Sequence, residues 1–167
     1  AHVLVRDLGL VPGNRVLLRG FNGRWMAAAW LATIKAGMVA VTTMPLLRAK
    51  ELGVIIERAQ CSAALCDACL LDELRQGTRH PLEAEAIRCW GHDGPDSLEA
   101  LVKARATPFR AVATASDDVC LIAFTSGTTG VPTLLSINVT ARVESVSKAS
   151  RARSYIFLTL AMYCAGL

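Results

Sequence analysis

The sequence predicts an α/β fold, an open and mostly parallel sheet with flanking helices. Two features carry this expectation. Apolar runs of strand length recur at Arg15–Arg19, Val39–Thr43, Ala63–Cys66 and Val119–Phe124. Between them lie segments of helical spacing, punctuated by Gly, Pro or Asn. Strands that alternate with helices pair in parallel, because each helix carries the chain back to the end of the sheet where the next strand starts.

In chain order, His2 to Leu10 places Leu4, Leu8 and Leu10 at roughly helical spacing, and Pro12-Gly13 ends it. Arg15–Arg19 is a strand with a buried middle. After an Asn22-Gly23 turn, Trp25 to Ala36 is a largely apolar helix, with alanines at 27, 28, 29 and 32 and Gly37 beyond its end. Val39–Thr43 is the next strand, and Pro45 forbids its continuation. Ala49 to Gln60 sets Leu52, Ile55, Ile56 and Ala59 on one helical face. After the Ala63–Cys66 strand, Asp67 caps a short helix over Cys69 to Arg75. Ala86 to Trp90 is a weaker strand. Ser97 caps Leu98 to Ala104, where Glu99 and Lys103 stand as an i,i+4 pair. Thr107 to Ser116 connects to the last strand.

Composition narrows the function. At 53% hydrophobic and 19% charged, the 167 residues are not those of a disordered chain. The net charge of +4 is scattered and only 5% of residues are aromatic, so nucleic acid is not an expected partner. No signal-peptide pattern opens the chain, and the longest apolar run, Tyr155 to Leu167, is too short to span a bilayer. Six cysteines, Cys61, Cys66, Cys69, Cys89, Cys120 and Cys164, mostly sit inside apolar runs. This fits reduced structural thiols and a cytoplasmic protein. Cys66-Asp-Ala-Cys69 has metal or redox spacing, but no second pair or His cluster accompanies it, so no metal site is expected. Arg48, Lys50 and Glu51 fit a solvated helix face, and neither His80 nor His92 has a partner at catalytic spacing. Trp25, Trp30 and Trp90 suit core or rim positions.

The segment with chemistry in it follows the last apolar strand: Thr125, Ser126, Gly127, Thr128, Thr129 and Gly130, stopped by Pro132. Two glycines permit close backbone approach, and four hydroxyls with free N–H groups can converge on anionic oxygens. The Gly-x-x-x-x-Gly-Lys-[Ser/Thr] spacing of a Walker A loop is absent. On spacing alone the stretch is either a phosphate cradle or a flexible linker.

Phe124-Thr-Ser-Gly-Thr-Thr-Gly-Val-Pro132 resembles the signature loop of the acyl-adenylate-forming, AMP-binding enzymes: acyl- and aryl-CoA ligases, peptide-synthetase adenylation domains and luciferases. Pro12-Gly-Asn-Arg-Val, Ala36-Gly and Val41-Thr-Thr-Met-Pro resemble earlier elements of that family's large N-terminal domain. Met44-Pro-Leu-Leu-Arg-Ala-Lys-Glu-Leu52 and Ala64-Leu-Cys-Asp67 are most similar to the benzoate and aminobenzoate CoA ligases. The resemblance implies that Thr125 to Gly130 grip the phosphates of ATP while a carboxylic acid attacks the α-phosphorus. ATP, magnesium and CoA are the cofactors it implies, with a small-molecule carboxylic acid, ATP and CoA as partners.

The sequence departs from the family after Pro132, where Thr133-Leu134 replaces Lys-Gly and removes the loop's cation. The family's magnesium-holding acid, its ribose-binding aspartate and its catalytic lysine have no counterpart in these residues, so no catalytic residue is assigned. The division this suggests is a partial AMP-binding domain over residues 1–132 and a divergent, poorly ordered tail over 133–167, as a shifted reading frame or a chimera would leave. Three functions follow as expectations: a piece of an ATP-dependent aryl-CoA ligase, inactive by itself; a non-catalytic nucleotide- or phosphate-binding module; or an inert truncated product.

Overall fold

The computed structural model describes residues 1–77, 82–105, 107–126 and 132–138. Its strands are β1 (Arg15–Arg19), β2 (Val39–Thr43), β3 (Ala63–Asp67), β4 (Ile87–Trp90), β5 (Val119–Ser126) and β6 (Pro132–Asn138). Its helices are α1 (Arg24–Lys35), α2 (Ala49–Ala59), α3 (Leu71–Gly77) and α4 (Leu98–Lys103). The sheet runs in the order β4-β3-β1-β2-β5-β6; its first five strands are parallel, and β6 is antiparallel to β5.

Alternation along the strands builds two cores. Leu17, Val41, Ala64, Cys66, Cys89, Ile122 and Phe124 face α2 and α3, where Ile55, Ile56, Ala59 and Leu74 pack on them. Val16, Leu18, Ala40, Ala63, Leu65 and Trp90 face the other way, toward Ala29 of α1, Leu98 of α4 and Leu4 of the N-terminal turn. The chain moves along the sheet one way over α1 and α4 and the other way over α2 and α3. All four crossovers therefore share one hand, as right-handed crossovers do.

Local chemistry sets the element ends. Gly37, at φ +72°, closes α1 with its N–H on the Ile34 carbonyl. The Asp67 carboxylate accepts from the Cys69 N–H, and the Ser97 hydroxyl from the Ala100 N–H, the two caps expected from the sequence. At α2, Glu51 reaches back to the Arg48 N–H at 2.9 Å, and Glu73 of α3 takes the Ala49 N–H at 2.9 Å.

Four features differ from the sequence reading. The N-terminal turn, Val3–Asp7, is wound wide, with the Leu8 N–H on the Val3 carbonyl five residues back. Helix α1 buries only Ala29 and Thr33, and leaves Leu31 58% exposed. Glu99 does not pair with Lys103: it accepts the Gly91 N–H at 2.9 Å, a stronger bond than a surface i,i+4 pair offers. Finally, 132–138 do not leave the body at residue 133; they form β6, hydrogen-bonded along β5 with Ser126 opposite Pro132. A proline is tolerated there because it begins an edge strand.

Arg19 ends β1 fully buried, with no carboxylate partner among the described residues. Its guanidinium donates to the carbonyls of Met44 (3.1 Å), Pro45 (3.1 Å), Leu47 (2.9 Å) and Leu70 (3.3 Å). Replacing it by methionine keeps the volume and strips the donors from a site that water does not reach. We expect Arg19→Met to lower stability by about 3 kcal/mol and Arg19→Lys to recover part of that, read from urea unfolding midpoints. A loss under about 1 kcal/mol would mean that the carbonyls find other donors.

Candidate functional site

In a parallel sheet the carboxyl ends of the strands are where loops of different lengths meet and where ligands sit. Here β1 ends at Arg19, β2 at Thr43, β3 at Asp67, β4 at Trp90 and β5 at Ser126. The connections leaving β2 and β5 part to opposite sides of the sheet, toward β3 and β6 respectively. A crevice is expected at such a division. The candidate loop starts there: Thr125 and Ser126 are the last two residues of β5. Gly127, Thr128, Thr129 and Gly130 lie outside the described residues.

The surroundings of that end are built by Arg19. Its four carbonyl acceptors belong to the turn leaving β2 and to the turn following β3, so one side chain fixes the exits of both strands that flank β1. The Thr43 hydroxyl adds a bond to the Leu18 carbonyl at 3.0 Å. Register pairs Thr42 with Ala123, so the Met44–Leu47 turn sets out alongside the end of β5. Burial is the largest influence on Arg19 and pulls its pKa below the usual guanidinium value.

Farther along the same edge, Trp90 donates to the Asp67 carboxylate at 3.2 Å and lays its ring over Gly20. A Cβ at residue 20 would lie 2.3 Å from the ring, so Gly20 is required by this close approach. Arg48 is exposed and pairs with Glu73 at 2.8 Å; Arg48 first, then the Ala49 N–H, hold the Glu73 carboxyl below the usual range. The Arg48–Glu51 corner is thus used in capping α2 and bracing it to α3.

Other sequence candidates separate. Cys66 is buried on β3, whereas Cys69 is exposed with its thiol on the Asp67 carboxylate at 2.9 Å, so the two do not act as a pair. Among the described residues no three His, Cys, Asp or Glu side chains gather as a metal site. His92 accepts the Gly94 N–H through Nδ1 at 3.1 Å, and His80 lies outside the described residues. No described helix is long and apolar enough to cross a membrane. The sequence reading missed Arg19 and the Trp90–Gly20 contact. The one available signal was an arginine and a glycine closing an apolar strand.

A cavity of about 440 Å³ lies at the opposite, amino end of the sheet, lined by Pro12, Arg15, Gly37, Val112, Asp118 and Val119. Arg15 makes two hydrogen bonds with Gln60 at its edge. An open groove between α2 and α3, lined by Gly53, Glu57, Arg75 and Gly77, is also away from β5. Strand topology favours the carboxyl end over either cavity.

Comparisons with known proteins bear on the family and the fold. The model of the family described as "AMP-binding enzyme" matches residues 1–165. The match runs past Pro132, where the sequence reading ended the resemblance. The chain is 30% identical over 125 residues to a benzoate–CoA ligase of Thauera aromatica, covering 75% of this chain and 24% of that protein. It is 30% identical over 128 residues to the uncharacterized acyl–CoA ligase YtcI of Bacillus subtilis, again covering 75% of this chain and 24% of that protein. The chain thus spans about a quarter of the length of these relatives. Among solved structures, the anthranilate CoA ligase AuaEII in complex with anthranoyl-AMP superposes with a TM-score of 0.71 at 22% identity, over 85% of this chain and 29% of that one. A benzoate CoA ligase from Burkholderia xenovorans gives 0.69 at 20% identity, over 88% and 28%. With five parallel strands, the last of them ending in Thr125 and Ser126 at the carboxyl edge, and a family match over nearly its whole length, the chain belongs to the AMP-binding enzyme family.

Proposed function

We propose that this chain is the phosphate-loop portion of an ATP-dependent acid–CoA ligase acting on an aromatic carboxylate of the benzoate or aminobenzoate type. The observation that carries the proposal is the delivery of Thr125 and Ser126 by β5 to the carboxyl edge, beside the turn that Arg19 holds. The aromatic acid is supported by the benzoate–CoA ligase relative and by the wording of Met44 to Leu52.

The chemistry explains the equipment. A free carboxylate is a poor acyl donor because its leaving group would be oxide. Attack of its oxygen on the α-phosphorus of ATP forms an acyl-adenylate and releases pyrophosphate; the thiolate of CoA then attacks the acyl carbon and releases AMP. The first step needs positioning and neutralisation of phosphate charge, which N–H and hydroxyl donors on Thr125, Ser126, Thr128 and Thr129 would supply, with Gly127 and Gly130 admitting the phosphates close to the backbone. Magnesium, when bound, would add charge neutralisation. The described residues present no metal-holding cluster, so no step is assigned to it here. The same cradle would serve a non-catalytic nucleotide-binding module, and turnover separates the two.

Two outcomes follow. Gly127→Val or Gly130→Val would block backbone approach and remove charge-assisted hydrogen bonds of about 1.5–3 kcal/mol each, weakening ATP binding by about tenfold or more in calorimetric titration. Unchanged affinity in both variants would place the nucleotide elsewhere. The 167-residue polypeptide alone, with Thr133 in place of the loop lysine, is expected to give no benzoate- or aminobenzoate-dependent ATP–pyrophosphate exchange above a protein-free control. Exchange above that control would show that these residues suffice for adenylation.

A further inference from the structure

Two cysteines that the phosphate chemistry does not use face each other across the sheet. Cys66 of β3 and Cys89 of β4 are register partners in parallel strands, and both side chains lie in the core on the α2–α3 side. Neighbouring strands run about 4.8 Å apart, inside the roughly 4.4–6.8 Å Cα separation that a disulfide spans. Cys66 is fully buried, while Cys89 retains 8% exposure on β4, the strand at one edge of the sheet. We propose that Cys66 and Cys89 close a reversible intramolecular disulfide when the protein meets a peroxide.

The other described cysteines are poorer candidates. Cys69 spends its thiol on the Asp67 carboxylate, which pushes its pKa up. Burial pushes the Cys61 thiol up to about 12. Cys120 lies on β5, across the sheet from β3 and β4. The Cys66 thiol donates to the Asp67 carbonyl at 3.1 Å. Within the facing pair, the influence of each thiol on the other raises the pKa of Cys66 and lowers that of Cys89; Arg75 also favours the Cys89 thiolate, against its burial. Cys89, the more exposed of the two and on the edge strand, is the attacking sulfur, and Cys66, whose thiol is held on the Asp67 carbonyl, is the resolving one. Attack of the Cys89 thiolate on the peroxide O–O bond gives a sulfenic acid and hydroxide. The Cys66 sulfur then attacks the Cys89 sulfur, forming the S–S bond; the Cys66 proton leaves with the sulfenic oxygen as water, and the proton that Cys89 released on ionising neutralises the hydroxide. Two thiols lose two electrons in total, and hydrogen peroxide becomes two waters. The bond would fasten edge strand β4 to β3 one register step before the Asp67–Trp90 contact.

The test is peptide mapping of the native chain after brief exposure to hydrogen peroxide, alkylation and digestion without reductant. The expected product is one linked pair joining the Cys66 and Cys89 peptides, two hydrogens lighter than their sum and released by dithiothreitol. It should form as fully in Cys69→Ser as in the unchanged chain, and should lose its preference over other pairings when the chain is oxidised in urea. Cys89→Ser should abolish it; the mapping of the unchanged chain decides the matter even if that variant folds poorly. Recovery of Cys66 and Cys89 as separate peptides, or linkage of either to Cys69, would overturn the proposal.

Discussion

The buried guanidinium of Arg19 is the interaction on which the carboxyl edge of this sheet depends. A parallel sheet leaves its strand exits as turns whose carbonyls point into one another's space, and each buried carbonyl needs a donor. The turn after β2 contains Pro45, which brings an acceptor and no N–H. A single planar side chain with five donors satisfies four of these carbonyls at once, and draws them from the exits of the two strands flanking β1. Burying a charge without a carboxylate partner is costly, and the carbonyl dipoles are what offset it.

Topology does the rest of the positioning. Crossovers of one hand put α1 and α4 on one face and α2 and α3 on the other, so both faces are covered and the ends remain open. Strand order brings β5, far along the chain, against β2. The Arg19-held turn and the start of the Thr125–Gly130 loop consequently become neighbours although some eighty residues separate them in sequence. The cavity at the amino ends has space but lies at the end of the sheet away from the β5 exit. Space alone does not make a phosphate site.

Much of this was legible in the residues. The strands at 15–19 and 39–43 are bounded by Pro, Gly and Asn, and Leu52, Ile55, Ile56 and Ala59 declare the buried face of α2. The caps at Asp67 and Ser97 follow from short polar side chains before apolar segments. What escaped depends on contacts distant in sequence. Glu99 prefers the Gly91 N–H to Lys103, a choice set by the fold of the β4–α4 loop. β6 was hidden because Pro132 and the polar residues among 133–138 mask its strand character. Arg19 reads as a strand-terminal charge, and only the fold supplies its four acceptors. Of the candidate site, the loop's residue types were legible and the scaffold beneath it was not.

The central claim is that nucleotide engages the carboxyl edge where β5 ends. Hydrogen–deuterium exchange of this chain with and without saturating ATP tests it most directly. The account predicts slowed exchange in peptides covering Thr125 to Gly130 and the Met44–Leu47 turn, with Pro12, Gly13, Gly37 and Val112 to Thr114 at the amino-end cavity unchanged. Protection centred on that cavity, or no protection at the β5 end, would contradict it.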